Sequence, residues 1–266
     1  MAENTVLVNE HCSNRGIRAW HAVPVSERAP EPAGSRSAAA SARARVRAEL
    51  RAEIVAAGHA ELVASGPGGL SLRAVARRLG MAPSALYRYF ADRDALLTAL
   101  IVEAYRSVGD AAAAAEQGAA GGTPLERWTV VTTSVRRWAH DHPQQWALVY
   151  GSPVPGYRAP EDTVEAALGV TRVLARIFAD AHPPGAPPPG GVPPAPPGMA
   201  GAVRPLVDEL LPGRPPEVAV AAVVAWTQLL GMVGLELFGH FVGATGDIDA
   251  VFAYAMRTVA AVTGIG

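Results

Sequence analysis

Apolar residues recur at three- and four-residue intervals along most of the chain, and no long stretch alternates between apolar and polar positions as a half-buried strand does. Between residues 41 and 65, for example, Val46, Leu50, Ile54 and Ala57 fall on one side of a helix. The same spacing predicts further helices at 71–79, 82–90, 92–117, 124–140, 143–150, 162–181, 199–211, 216–241 and 248–262. The pattern is that of an all-α protein.

Two segments lack this periodicity. Residues 1–38 contain scattered prolines among Ser, Gly and Ala, which is typical of a mostly disordered tail. Residues 183–198 are mostly Pro and Gly, which exclude a helix or strand and predict a loop. The predicted helices therefore form a short group at 39–95 and a longer body at 96–266 that contains this loop.

The predicted helix at 216–241 contains the most apolar stretch of the chain. Eighteen residues, 218–235, are interrupted only by Thr227 and Gln228, which approaches the length of a membrane span. Acidic Glu217 and Glu236 flank the stretch, and no Arg cluster stands at either end to orient it in a bilayer. A helix buried inside a bundle is favoured over a membrane anchor, and we expect a cytoplasmic protein.

This helix is apolar on more faces than one neighbouring layer covers, so a second copy of the chain is the expected partner for its other face. Small residues there would allow a close approach, and the last helix adds apolar residues at helical spacing. The predicted homodimer interface consists of Ala222, Ala225, Leu229, Val233, Phe252, Met256 and Val259.

Positive charge is concentrated in the N-terminal group of predicted helices. Residues 35–93 hold ten Arg and four acidic residues, a net charge of +6, so the rest carries −7 because the whole chain has −1. A basic segment on an acidic body is typical of a polyanion-binding module, although a solvated Arg-rich helix gives the same count.

Enzyme chemistry is the main alternative class, and the sequence offers little for it. No Ser/His/Asp or Cys/His motif, glycine-rich phosphate loop or paired metal-ligand helix is recognisable. Cys12 is the single cysteine, and His140, Asp141 and His142 are consecutive and so diverge around a helix end. We expect no catalysis, no cofactor and no metal site. The N-terminus also lacks a basic stretch followed by an apolar run, so no secretory signal is expected.

Residues 71–90 predict two short helices joined by a tight turn. Leu72, Val75 and Leu79 form an apolar face on the first helix, and Gly80 stands where that helix would end in a left-handed residue. Leu86 and Phe90 would bury the second helix against the first. The start of the second helix then points outward, as in a helix-turn-helix whose recognition helix enters the DNA major groove.

This stretch resembles the TetR (tetracycline-repressor) family of bacterial regulators. The resemblance rests on the run after Ser71, the turn from Ala76 to Gly80, the Leu86-Tyr87-x-x-Phe90 sequence, and Arg93 with Leu96 at the start of the next helix. His142-Pro143, the loop at 153–160 and residues 226–241 resemble a subgroup with a WHG-like C-terminal domain. The resemblance implies a helix-turn-helix three-helix domain followed by a helical-bundle ligand-binding and dimerisation domain.

Carried over by position, the resemblance assigns roles to the outward residues. Ser84, Ala85 and Arg88 would contact base edges, with Pro83 opening the helix and Arg73 reaching in from the preceding one. Tyr87, Tyr89 and Arg93 would hold phosphates. Half-buried packing is the alternative for the two tyrosines. The chain departs from the family pattern at Ala82, where many members have a Ser or Thr cap.

The resemblance also implies a pocket for a small apolar molecule in the C-terminal domain. The candidate lining residues are Trp128, Trp146, Tyr150 and Trp226, and ordinary core packing is the alternative for each. The implied function is a homodimeric transcriptional regulator that binds a near-palindromic double-stranded DNA operator. The family favours a repressor that the small apolar effector releases.

Overall fold

The computed structural model describes residues 34–161 and 163–266, and these residues form helices and connecting turns without a strand. The expectation of an all-α fold is confirmed. The helices in chain order are α1 (Gly34–Gly69), α2 (Leu72–Arg78), α3 (Pro83–Leu86), α4 (Arg93–Gly118), α5 (Pro124–Asp141), α6 (Pro143–Tyr150), α7 (Thr163–Ala181), α8 (Met199–Ala202), α9 (Arg204–Leu210), α10 (Pro216–Leu237) and α11 (Ile248–Val262).

Helix α1 begins earlier than the pattern of apolar residues predicts. It starts at Gly34, so residues 34–38 are helical rather than part of a disordered tail; the remainder of that predicted tail lies outside the described residues. Near its other end α1 is broken at Gly66, which has a φ of 67°, and Pro67 follows directly. Glycine adopts this left-handed conformation at little cost, so the regular helix is interrupted directly after the predicted helical stretch at 41–65.

Among the described residues, 34–46 belong to one compact unit and 47–266 form a second. Within the second, side chains from α1 to α4 form one apolar core that includes Ile54, Val75, Leu86 and Leu97. Of the predicted core residues of the helix-turn-helix, Leu72, Val75, Leu86 and Phe90 are buried, and Leu79 is half-buried. Ala76 is fully buried as well.

The other core of this unit lies among α4, α5, α7, α10 and α11. Helices α4 and α7 cross where Gly109 faces Gly169, so closely that a Cβ built on Gly109 would lie 3.1 Å from the Cα of Gly169. Any larger side chain at this crossing would push the two backbones apart. Trp128 of α5 is fully buried here, and its indole N–H donates to the carbonyl of Met256 at 2.9 Å.

Helix α10 packs against α5, α6, α7, α9 and α11. Of the helices described, it is the one long and apolar enough to cross a membrane, with a mean hydropathy of 2.0 and a third of the stretch buried. One side carries Ala225, Leu229 and Val233, each fully buried, whereas Val224 and Leu235 on other sides are more than 40% exposed. One side of α10 therefore belongs to the core, and its other sides expose apolar residues to solvent.

This packing corrects the predicted dimer interface. Ala225, Leu229, Val233, Phe252 and Met256 are buried inside the chain, where a second copy cannot reach them. Ala222 and Val259 are half-buried. The sequence showed that α10 has two apolar faces, but it did not show which face the chain itself covers. The exposed stripe lies on Val224, Thr227, Gln228 and Gly231 of α10 and on Val251, Tyr254, Thr258 and Val262 of α11.

Candidate nucleic-acid interface and ligand cavity

The turn between α2 and α3 has the local features of a helix-turn-helix. Ser71 caps α2 by accepting a hydrogen bond from the backbone N–H of Ala74 at 3.1 Å, and Gly80 has the left-handed φ of 64°. Helix α3 has no side-chain cap at Ala82 and begins with Pro83. Proline suits this position because its missing N–H would have no partner inside the helix and its φ is already helical.

Helix α3 is shorter than the predicted 82–90. Regular helix ends at Leu86, and the chain continues in turns to Phe90, whose N–H donates to the carbonyl of Leu86 at 3.0 Å. The turns still bury Phe90 against α2 and leave the intervening residues outside. The surface predicted for base contact is therefore formed by the single helical turn of α3 and by the turns at 87–89 that follow it.

The residues predicted to contact DNA lie mostly on one exposed surface. Arg73, Pro83, Ser84, Tyr87 and Arg88 are exposed, whereas Ala85 and Tyr89 are half-buried. The side chains of Arg73 and Arg88 make no hydrogen bond or ion pair within the described residues. Both guanidinium groups are thus available to an outside partner, as direct base or phosphate contact requires.

Two arginines of α1 hold the far end of this turn, a feature that sequence reasoning missed. Arg47 donates to the carbonyl of Arg88 at 3.4 Å, and Arg51 donates to the carbonyl of Tyr89 at 3.3 Å. The guanidinium carbons lie 5.6 Å from the Tyr89 ring and 4.4 Å from the Phe90 ring. The four-residue spacing of Arg47 and Arg51 places them on one side of α1, which the sequence shows. Their partner carbonyls lie about forty residues further along the chain, so the sequence pattern did not reveal the contacts.

Arg93 is less free than the resemblance implies. It is the first residue of α4, and its guanidinium donates to the carbonyl of Pro67 at 2.7 Å and to Asp94 at 3.0 Å. Arg93 therefore ties the end of α1 to the start of α4. A guanidinium has five N–H groups, so these bonds leave donors for a phosphate.

A second tie joins α1 to α2. Arg78 donates to the Glu61 carboxylate at 3.2 Å, and Ser65 donates to the same group at 2.8 Å. Hydrogen bonding from Ser65, and then from Arg78, lowers the pKa of Glu61. Arg78 therefore contributes to the packing of the helix-turn-helix.

The C-terminal domain encloses a cavity of about 850 Å³, within the range that binds drug-sized ligands. Helices α4, α6, α7, α9 and α10 supply its walls, which are mainly apolar. The few polar groups in the lining are Tyr105, Tyr150, Thr171 and Glu209, together with the indole of Trp226. Burial raises the pKa of the Tyr105 and Tyr150 hydroxyls, so both stay protonated at neutral pH.

Two of the four predicted pocket residues line this cavity. Tyr150 and Trp226 do so, whereas Trp146 lies one layer behind with its ring 4.6 Å from that of Tyr150. Trp128 does not line it; its hydrogen bond to Met256 makes it a core residue, and its assignment to the pocket is corrected. Tyr105 was missed because it sits in an apolar helix with no local mark of a pocket.

Three consecutive residues of α6 connect the cavity with the helix-turn-helix. Leu148 is buried in the core formed by α1 to α4, while Val149 and Tyr150 line the cavity. The Tyr105 hydroxyl donates to the carbonyl of Val149 at 3.0 Å, which holds α6 against α4. Beyond α6, the hydroxyl groups of Tyr157 and Thr98 lie 2.9 Å apart. A change in cavity shape that moves α6 would therefore also move Leu148 in the core of the helix-turn-helix.

The described residues form a helix-turn-helix carried by an all-α body, and Arg88 is exposed on the turn after α3 with no side-chain partner among them. These features are those of the class of DNA-binding transcriptional regulators. Comparison with known families agrees. Residues 54–100 match the family described as bacterial regulatory proteins of the tetR family, and residues 128–259 match the tetracyclin repressor-like C-terminal domain. The chain belongs to the TetR family.

Individual relatives are consistent with this membership. The HTH-type transcriptional regulator Rv1816 of Mycobacterium tuberculosis (strain ATCC 25618 / H37Rv) is 36% identical over 204 residues, which cover 71% of this chain and 80% of that one. The HTH-type transcriptional regulator Mb1846 of Mycobacterium bovis gives the same values. The crystal structure of the regulatory protein SCO4313 shares 34% identity with a TM-score of 0.64, covering 81% of this chain and 97% of its own.

Proposed function

We propose that the protein is a transcriptional repressor that binds a near-palindromic operator as a homodimer and is released from it by a small apolar ligand. The functional division is a helix-turn-helix domain at 39–95 and a ligand-binding and dimerisation domain at 96–266. The observation that carries the proposal is the α6 segment, where Leu148 supports the helix-turn-helix core and the next two residues line the cavity.

For DNA, the proposal assigns base contacts to the exposed start of α3 and the turn after it. Ser84 and Arg88 would meet base edges, helped by Ala85 and Pro83, and Arg73 would approach from α2. The exposed hydroxyl of Tyr87 and the remaining donors of Arg93 would hold phosphates, and Tyr89 would act partly through packing under Arg47. The net charge of +6 over residues 35–93 supports attraction to a polyanion.

For the dimer, the proposal uses the exposed stripe of α10 and α11. Val224 and Val262 are more than 40% exposed and Tyr254 is 69% exposed, which is unusual for apolar side chains on two adjacent helices. Two copies of the pair, related by a two-fold axis, would form a four-helix interface. The same axis would place two recognition helices about one DNA turn apart, so the operator would be a near-palindrome.

For release, a ligand has to favour a dimer whose two helix-turn-helix domains no longer fit the operator spacing. Occupancy of the cavity would press on Val149 and Tyr150, and the adjoining Leu148 would carry the shift into the helix-turn-helix core. Such a protein acts on DNA in the cytoplasm and needs no cofactor or metal. In this proposal a second copy, rather than a bilayer, covers the exposed apolar stripe of α10.

The test is to select bound duplexes from genomic fragments with the purified protein and then measure operator affinity by fluorescence anisotropy. We expect a preferred near-palindromic duplex, and a reporter gene behind it that is silenced when the protein is expressed. Equal affinity for the selected duplex and for random DNA would refute sequence-specific regulation. A reporter that rises with expression would refute repression while leaving DNA binding intact.

Release is tested by screening a panel of small apolar metabolites on the same protein. Binding is followed by tryptophan fluorescence, because Trp226 lines the cavity, and operator affinity is followed by anisotropy. A ligand that binds should weaken operator binding. A compound that saturates the protein and leaves operator affinity unchanged would contradict the link through α6.

A further inference from the structure

The chemistry of the cavity lining restricts the class of molecule that can occupy it, provided that the cavity is the ligand site of the proposed function. Two hydroxyl groups, those of Tyr150 and Thr171, belong to lining residues and have no hydrogen-bond partner among the described residues. Tyr105 differs, because its hydroxyl already donates to the carbonyl of Val149 at 3.0 Å. The Tyr150 hydroxyl is therefore available to a group that enters the cavity.

The lining also lacks positive charge. Glu209 is its one residue with a charged side chain, and no Arg or His lines the cavity. The Glu209 side chain is 57% exposed and lies 3.9 Å from Arg172, so it stands in solvent at the mouth rather than in the interior. Arg172 is itself held by both carboxylate oxygens of Glu165, one at 2.8 Å. The interior therefore contains neutral hydroxyl groups, the indole N–H of Trp226 and apolar side chains only.

We propose that the cavity selects an uncharged, mainly apolar molecule that carries an oxygen acceptor, a hydroxyl or carbonyl group, placed against the Tyr150 hydroxyl. The raised pKa keeps this tyrosine as a neutral O–H donor, which suits an acceptor oxygen. The large apolar walls, including Trp226 and Phe238, cover the remainder of the molecule.

Ionic versions of the same molecule are disfavoured for different reasons. A carboxylate or phosphate would lose its hydration without meeting a cation, and Glu209 at the mouth would repel it. An ammonium group deep in the cavity would meet hydroxyl groups and aromatic rings but no carboxylate, because Glu209 lies at the rim. The neutral molecule loses the least hydration on entry.

Three probes with the same ten-carbon chain test this selection: decan-1-ol, decanoate and decyltrimethylammonium. Binding to the full-length protein is measured by titration calorimetry, below the solubility limit of decan-1-ol and below the micelle concentrations of the two ions. We expect the alcohol to bind at least tenfold more tightly than either ion. Y150F should weaken the alcohol about fivefold, the equivalent of one hydrogen bond of about 1 kcal/mol, and leave the two ions unchanged. Y254F, at an exposed tyrosine outside the cavity, is the matched control and should leave the affinity for all three probes unchanged.

The outcomes separate this inference from the proposed function. Tighter binding of decanoate or of the ammonium probe, equal weakening of all three probes by Y150F, or no binding by any probe would overturn the ligand class. Operator affinity is measured on the same samples. If the alcohol binds as expected but operator affinity stays constant, the ligand class stands and ligand-controlled release fails. Circular dichroism of Y150F, compared with that of the wild-type protein, checks that the variant is folded, and the three wild-type affinities test the ligand class in either case.

Discussion

The two domains use their side chains in opposite ways. The helix-turn-helix domain buries core residues such as Val75 and Ala76 fully and presents Arg73 and Arg88 to solvent without a partner in the described structure. The C-terminal domain leaves a cavity of about 850 Å³ inside and an apolar stripe outside. A surface that reads bases needs a rigid support, whereas a sensor needs space in its interior.

The comparison also separates two uses of arginine. Arg47 and Arg51 point to backbone carbonyls and rings within the helix-turn-helix domain and so stiffen the turn after α3. Arg88, on that same turn, has its side chain free of such contacts. These two arginines thus fix the geometry of the domain, whereas the exposed side chain of Arg88 stays available to an outside partner. Each of the following changes tests one part of this contrast, beginning with the largest expected effect.

The largest effect is expected inside the C-terminal domain. Leu229 is fully buried on α10, and L229R would bury an unpaired charge, so we expect a loss of at least about 3 kcal/mol in the free energy of unfolding. V224R places the same charge on the exposed stripe of the same helix. It should change monomer stability little but dissociate the dimer. Chemical denaturation and sedimentation at micromolar concentration measure the two quantities.

The pair of variants is its own control, because both add an arginine to one helix. Equal loss of stability in the two variants would mean that the exposed stripe is part of the chain's own core. A V224R protein that is folded, dimeric and fully able to bind operator would remove this stripe from the interface. A monomeric wild-type protein would reject the homodimer altogether.

The next largest effect concerns the free guanidinium on the DNA-binding surface. R88A should lower affinity for the preferred duplex by about 1–3 kcal/mol and change which bases are preferred, with no change in melting temperature. R137A removes the same charge from an exposed position on α5 and should leave both quantities unchanged. Anisotropy on a set of duplexes with single base-pair changes measures the effect. A uniform loss over all duplexes would make Arg88 a phosphate contact instead.

A smaller effect is expected for the arginine that supports the turn. R51A removes the hydrogen bond to the carbonyl of Tyr89 and the contact with the Phe90 ring, so we expect about 1 kcal/mol less stability. DNA affinity should fall for all duplexes, because the turn loses its fixed position. R51K keeps the charge but not the planar group, and should lose nearly as much. Full recovery with R51K would show that Arg51 acts by its charge alone.

The smallest effect is expected at Glu236 in the C-terminal domain. Although burial raises its pKa, hydrogen bonding to Arg136 outweighs this, with help from His140, and lowers the pKa below 4.5. Its ionised form therefore stabilises the fold fully above about pH 4.5, and that contribution is lost as pH falls through the lowered pKa. E236Q should cost up to about 1 kcal/mol at pH 7 and less at pH 3. Urea unfolding at both pH values measures this, and an equal cost at both would mean that the ionised carboxylate contributes nothing.

Local signals in the sequence were sufficient for the helix-turn-helix. Ser71, Gly80 and Pro83 act within one or two turns of their own position, so a cap, a left-handed turn and a helix start can be predicted without knowing what packs against them. The same holds for the break at Gly66. The length of α3 was overestimated, because its last residues are shaped by Arg47 and Arg51 of α1 rather than by their neighbours in sequence.

By itself, the sequence determined the all-α class, the order of the helices, the family and the outward residues of the DNA-binding surface. Only the tertiary structure decided which face of α10 is covered by its own chain, and so moved the candidate interface from Leu229 and Val233 to the side of Val224. It also removed Trp128 from the pocket and brought in Tyr105. The physical reason is that helical spacing shows how many apolar faces a helix has, whereas the neighbour that buries each face is determined by contacts between residues far apart in sequence.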